Sequence, residues 1–216
     1  TRLGFLPESD IWVNQRTWKI FDNNAVVFEN GNIRFENFKA YSDTSETIYL
    51  NGLIGHNRDE ILNSELHNFD LYLLKDVFNL YDIQLGGKVN GSVQMSSVFE
   101  NMMMNGELFV KSFSFYGDTV GDATIKSDFI SNENKFVVDA FIERDGSKRI
   151  TLKGEYLISK KEDYMDFEIQ LSRTNISTFQ HYLSGLIHDL KGIVTADLRL
   201  IGNPKRPDFT GKGTIQ

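Results

Sequence analysis

Residues 192–200 read Gly-Ile-Val-Thr-Ala-Asp-Leu-Arg-Leu, and residues 87–95 read Gly-Lys-Val-Asn-Gly-Ser-Val-Gln-Met. Apolar residues take alternate positions in each: Val194, Ala196, Leu198 and Leu200 in one, Val89, Val93 and Met95 in the other. Thr195, Asp197 and Arg199 lie between the first set, and Lys88, Asn90, Ser92 and Gln94 flank or separate the second. A period of two with one greasy and one polar side marks an antiparallel strand wetted on one face. A helix would instead place apolar residues three and four positions apart.

The same alternation runs outward from both stretches, interrupted by Gly, Asn, Asp or Ser at the spacing of short strands. Residues 25–28 and Ile33 to Phe38 flank Asn30-Gly31-Asn32, a tight-turn signal for a hairpin. Further strands are expected from Ile48 to Ile54, Leu66 to Leu74, Lys88 to Met95 and Gly106 to Tyr116. Ala123 to Ile130, Lys135 to Glu143, Arg149 to Ser159, Met165 to Ser172 and Gly192 to Ile201 complete the set, with Asp145-Gly146 as a second turn. Ile150, Leu152, Tyr156 and Ile158, and likewise Phe167, Ile169 and Leu171, carry one apolar face each. One short amphipathic helix is expected, from Ile176, Phe179, Leu183, Leu186, Ile187 and Leu190. Asn175 or Ser177 can cap its start and Gly192 can end it. The smaller apolar cluster Val77, Phe78, Leu80 and Tyr81 takes the matching place earlier.

The two opening stretches belong to an internal repeat, residues 66–116 and 164–216. The first copy runs Phe69 to Leu73, an apolar half-turn, Gly87 to Met95, then Met103 to Val110. The second runs Phe167 to Leu171, the helix, Gly192 to Leu200, then Asp208 to Ile215. Gly87 precedes Gly106 by 19 positions, and Gly192 precedes Gly211 by the same 19. In that register Val89 matches Val194, Val93 matches Leu198, Met95 matches Leu200 and Met104 matches Phe209. Seven extra residues ahead of Gly192 are expected to lengthen the second helix. Repetition implies stacked units, each covering its neighbour's apolar face.

Composition sets limits on function. With 17 Phe and 8 Tyr among 216 residues, the chain can bury enough surface to fold. A net charge of -7 without a basic run disfavours nucleic acid as a partner. Absence of Cys excludes disulfides, thiolate metal sites and a Cys nucleophile. No apolar run reaches the ~18 residues of a membrane-spanning helix, and no signal-peptide pattern is present. The chain starts at Thr1 and stops in the strand-like Thr214-Ile215-Gln216. We read it as a single fragment of a longer protein, with any anchor or targeting signal outside it and the rest of the chain continuing the sheet.

Catalytic motifs are missing: no GxSxG, HExxH, GxxxxGK[ST] or complete GxGxxG. No catalytic residue, metal site or cofactor is expected, and the chain is not expected to be an enzyme. His181 and His188 lie two helical turns apart beside Asp189, but lack a third ligand at suitable spacing. Asp59-Glu60, Glu162-Asp163, and Glu143 with Asp145 read as solvated turn or polar-face residues. Met102-Met103-Met104 reads as a strand with Met104 facing in.

The stretch Leu183 to Ile215 resembles the recurring unit of the TamB and AsmA-like proteins of the bacterial envelope. That unit has an amphipathic helix, a Gly-started alternating strand, a Gly-x-Pro-type turn and a second Gly-led strand. Gly192, Gly202, Pro204, Gly211 and Gly213 carry it here; in the first copy Ser97 to Asn101 replaces the Gly-x-Pro turn. The resemblance implies an elongated antiparallel sheet curled lengthwise into an open trough. It also implies a periplasmic location in a diderm bacterium, with an inner-membrane anchor outside this segment. Phospholipid acyl chains would then be the partner, carried toward the outer membrane. Val89, Val93, Met95, Met104, Ile150, Leu152, Phe167, Ile169, Leu171, Val194, Leu198, Leu200 and Phe209 would line the groove. The alternative is a scaffold for assembly or secretion of outer-membrane β-barrel proteins, with a barrel partner. Read from the residues alone, the alternation fits a closed core and an open groove equally; the resemblance favours the groove.

Overall fold

The computed structural model describes residues 1–6, 9–13, 16–42, 45–75, 84–100, 102–158, 164–179, 191–203 and 206–216. The strands are β1 (Arg2–Gly4), β2 (Asp10–Val13), β3 (Arg16–Ile20), β4 (Ala25–Glu29) and β5 (Asn32–Ser42). Next come β6 (Thr47–Ile54), β7 (Ile61–Asp70), β8 (Leu85–Ser96), β9 (Met103–Phe115) and β10 (Asp118–Ile130). The last are β11 (Lys135–Arg144), β12 (Ser147–Leu157), β13 (Tyr164–Asn175), β14 (Ile193–Asn203) and β15 (Arg206–Ile215). Among the described residues these form one open 15-stranded antiparallel sheet, so the chain is all-β as its alternation predicts. From β4 onward each strand pairs with the next, a simple meander. At the start, β1 pairs with β4, while β3 pairs with β2 and with the far end of β5.

Tight turns keep the meander compact. Asn30-Gly31 and Asp145-Gly146 both have positive φ at their two central residues, the type I′ geometry that matches strand twist. Tyr116-Gly117 makes a third such turn, at the end of the strand expected from Gly106 to Tyr116.

Several register shifts bend the sheet, and among the described residues four of its bulges share one device. Leu66 faces Gly91 and Phe69 faces Val89, so His67 and Asn68 together oppose Asn90. Asn68 has φ 51°, and its N–H donates to Asn90 Oδ1 at 2.9 Å. The device recurs where Asn37 opposes Asn51 (3.1 Å), Ser112 opposes Asp122 (2.7 Å) and Arg173 opposes Thr195 (3.2 Å). All three bulge residues have positive φ. A bulge leaves one backbone N–H without a ladder partner and increases local twist. Here a polar side chain from the following strand accepts that orphan bond. Removing the acceptor with Asn90→Ala should cost about 1 kcal/mol in denaturant unfolding. Asn68→Gly should be nearly neutral, because the backbone is already left-handed there. Asn68→Val should lose about 1–2 kcal/mol, since a β-branched residue resists that conformation.

Bulge positions also locate the repeat register. Leu66–Gly91 and Phe69–Val89 recur 105 positions later as Leu171–Ala196 and Thr174–Val194. Val93–Gly106 and Met95–Met104 recur as Leu198–Gly211 and Leu200–Phe209. Phe69 therefore corresponds to Thr174, not to Phe167, and the insert keeps its length instead of gaining seven residues. The bulge is the reason: an extra residue on one strand shifts the alternation that the sequence alignment follows. After β7 in one copy and β13 in the other comes a 3-10 turn, Leu71–Lys75 and Ile176–Phe179. The expected helix begins at that second turn; its Leu183, Leu186, Ile187 and Leu190 lie outside the described residues, as do His181, His188 and Val77 to Tyr81.

Candidate functional site

The candidate site is the inner face of the curled sheet. Curvature is shown by contacts between distant strands: the Trp18 ring from β3 lies 5.8 Å from the Phe69 ring of β7. Trp18, Ile20, Phe38, Ala40, Phe69, Leu73, Val89, Val110 and Ala123 form one buried cluster drawn from β3 through β10. Here the middle of the inner face is a buried core, rimmed by half-buried residues such as Ile48, Leu50, Leu66 and Leu108.

Beyond β10 it opens. Three inner rows cross β11 to β15 in register. The first is Ile142, Ile150, Leu171, Ala196 and Gly213. The second is Ala140, Leu152, Ile169, Leu198 and Gly211, and the third is Val138, Gly154, Phe167, Leu200 and Phe209. Leu171, Val194 and Ala196 are buried, with Ile150, Ile169 and Leu198 packed half-buried beside them. The outer side of the same strands is ionic: Lys153 pairs with Asp139 at 2.9 Å, and Arg199 grips Asp166 with two bonds of 2.6 and 2.8 Å. Gly154 shows how tightly this region coils. A Cβ there would stand 2.0 Å from the Asp166 carbonyl oxygen and 2.7 Å from the Phe167 Cα. Any larger residue would push β12 and β13 apart.

All thirteen groove candidates lie on this face, but they divide between the two environments. Val89 (0% exposed) and Val93 are buried in the β3 to β10 half. Met95 and Met104 face each other there, half-buried. Leu171 and Val194 are buried in the smaller cluster of the second half. Ile150, Leu152, Phe167, Ile169, Leu198 and Leu200 are half-buried, and Phe209 on the last strand is 60% exposed. The structure thus brings eight of them, from Ile150 to Phe209 with the exception of Val194, into the three rows of the open half.

Sequence reasoning missed an ionic cluster at the closed end. Glu46 is 0% exposed. Its Oε1 accepts from Arg16 Nη1 and from Lys88 Nζ, both at 2.6 Å, and its Oε2 accepts from Ser42 Oγ at 3.0 Å. Asp70 takes Arg16 Nη2 at 2.7 Å and the Tyr72 N–H at 3.0 Å. Burial pushes the Glu46 carboxyl up, but hydrogen bonds from Lys88, Arg16 and Ser42 outweigh it and hold the group below its ordinary value. Burial acts the same way on Asp70, and Arg16 with the Tyr72 N–H likewise holds it down. The alternation of Arg16-Thr17-Trp18-Lys19-Ile20 was the available signal: it marks a strand with Arg16, Trp18 and Ile20 on one side. Among the described residues no group of three or more His, Asp or Glu side chains converges as metal ligands would.

No family model, curated protein or solved structure matches the chain. The site therefore has to be read from its own geometry.

Proposed function

We propose that the inner face of β11 to β15 seats acyl chains, in a segment of a periplasmic envelope protein that carries phospholipid toward the outer membrane. The observation that supports this reading is the contrast within one sheet. The large buried cluster is drawn from β3 to β10, whereas from β11 to β15 the apolar rows are mostly half-buried, with a small buried patch at Leu171, Val194 and Ala196, and the outer face carries ion pairs. A half-exposed apolar strip of this kind marks a binding surface. Its chemistry suits hydrocarbon: the three rows contain only aliphatic residues, Phe and Gly. Burial of each methylene contributes about 0.8 kcal/mol and has no preferred direction, so a chain can slide along the strip without losing hydrogen bonds.

Leu198 stands in the middle row and is half-buried, so Leu198→Glu should leave the sheet folded. Loss of contact with only two methylenes should weaken acyl binding roughly tenfold. The check is photo-crosslinking to a diazirine-bearing phospholipid, with far-UV circular dichroism as the folding control. A probe at Leu198 should capture lipid, and one at Arg199 on the outer face should not. Capture from Arg199 alone, or a Leu198→Glu protein that is unfolded, would overturn the reading.

A further inference from the structure

Where β12 begins and β13 ends, the apolar rows give way to a basic cavity. Its volume is about 310 Å³, within the range of about 300 to 1,000 Å³ typical of small-molecule sites. Arg144, Arg149 and Arg173 line it, and Asp145 is the one carboxylate among the described lining residues. Three guanidiniums against one carboxylate leave an excess of two positive charges, in a chain whose net charge is -7. Among the described residues none of the three arginines forms an ion pair; Arg144 Nη1 donates to the Thr119 carbonyl at 3.2 Å. A buried or half-buried cation normally finds a carboxylate, as Arg16 does with Glu46 and Asp70 at the other end of the molecule.

Two bulges bring the arginines together. Ile142 faces Ile150 and Glu143 faces Lys148, so Arg149 is the extra residue on β12. Arg173 shares the place opposite Thr195 with Ser172 and has φ 49°. A bulge re-aims side chains that strict alternation would place differently. Backbone bonds fix both positions: Thr174 Oγ1 donates to the Arg149 carbonyl at 2.9 Å, and the Arg173 N–H donates to Thr195 Oγ1 at 3.2 Å. The rest of the lining joins the strip. Arg149 adjoins Ile150 in the first inner row, and Thr174, itself buried, pairs with Val194 beside Leu171 and Ala196. Val120 and Ile193 add apolar surface. We infer that this cavity holds the phosphate group of the lipid whose acyl chain lies on the β11 to β15 rows, an inference that rests on the acyl-chain reading. A guanidinium presents a planar fork of N–H donors that matches phosphate oxygens. Arg149 and Arg173 supply that fork from neighbouring strands, and Arg144 adds charge. The tail leaves the cavity past Ile150 and Leu171 and enters the rows.

The test uses the whole chain and three probes: myristoyl lysophosphatidylglycerol, tetradecyl maltoside and inorganic phosphate. The first two carry a chain of equal length, and only the first adds a phosphate. By calorimetric titration below the micelle concentrations, the phosphate lipid should bind about tenfold more tightly than the maltoside, against the repulsion of the chain's net negative charge. Added salt should erode that preference. Arg149→Gln with Arg173→Gln should abolish it and leave maltoside affinity unchanged. Both substitutions keep the two backbone bonds, so the urea unfolding midpoint without lipid should stay in place. Equal affinity for the two lipids, unmoved by the arginine variant, would overturn this inference and leave the acyl seat standing. Binding of neither lipid would overturn the acyl seat and the headgroup assignment with it. Inorganic phosphate bound as tightly as the phosphate lipid would make the cavity a free-anion site and overturn the headgroup assignment alone.

Discussion

Glu46→Ala should cost about 3 kcal/mol of folding stability, because it leaves Arg16 and Lys88 partly buried without their shared acceptor. Asp70 retains both cations within reach, at 2.7 and 3.5 Å, which keeps the loss from being larger. Glu46→Gln should lose less, since an amide still accepts hydrogen bonds. The two variants also differ in pH dependence. Glu46 has its folded pKa held below the ordinary value of 4.5, so its contribution is present in full above that pH and is lost as pH falls through the lowered value. Asp70 acts in the same direction below its ordinary 3.8. Wild-type stability should therefore fall steeply on acidification below pH 4.5, and Glu46→Gln should flatten that fall. Urea unfolding at a series of pH values checks both. An acid limb of equal slope in wild type and Glu46→Gln would show that Glu46 does not carry the effect.

This cluster also marks where sequence stopped being informative. Alternation along β8, β12, β13 and β14 named the inner face correctly because each position is repeated by its neighbours two residues away. Glu46 has no such support. It precedes β6 by one residue and looks like a turn carboxylate beside Ser45, yet the β5 to β6 connection carries it inward to Ser42. Bulges were hidden for a related reason. Asn68 and Arg173 look like ordinary polar steps, and only the pairing partner shows that two residues share one opposite position. Curvature is the third quantity that the residues do not carry locally; only the family resemblance implied the curl. Nothing local in Trp18 or Phe69 says that strands so far apart in the sheet meet, because the bend accumulates through bulges and strand twist. Between open and closed the residues alone are balanced; the structure has a larger buried cluster from β3 to β10 and a smaller one, with mostly half-buried rows, from β11 to β15.

Truncating the two halves should separate them by energy. Phe69 is 7% exposed, lies in the large cluster and meets Trp18. Phe69→Ala removes a packed ring and leaves a cavity that the surrounding sheet cannot close, so the expected loss is about 4 kcal/mol. Ile169 occupies the middle inner row but is only half-buried. Part of its side chain is already in contact with solvent, so Ile169→Ala forfeits a fraction of the transfer energy and creates no enclosed void. The expected loss is about 1–1.5 kcal/mol. Ligand should invert the ranking. If acyl chains seat there as proposed, a single-chain phospholipid should stabilise the folded state by about 2.7 kcal/mol at one hundred times its dissociation constant. Ile169→Ala should lose part of that increment, and Phe69→Ala should keep most of it if the fold survives. Denaturant unfolding with and without the lipid, below its micelle concentration, measures all four quantities. Equal losses at Phe69 and Ile169 without lipid would mean that β11 to β15 are as closed as β3 to β10, and the acyl-chain seat would lose its physical basis.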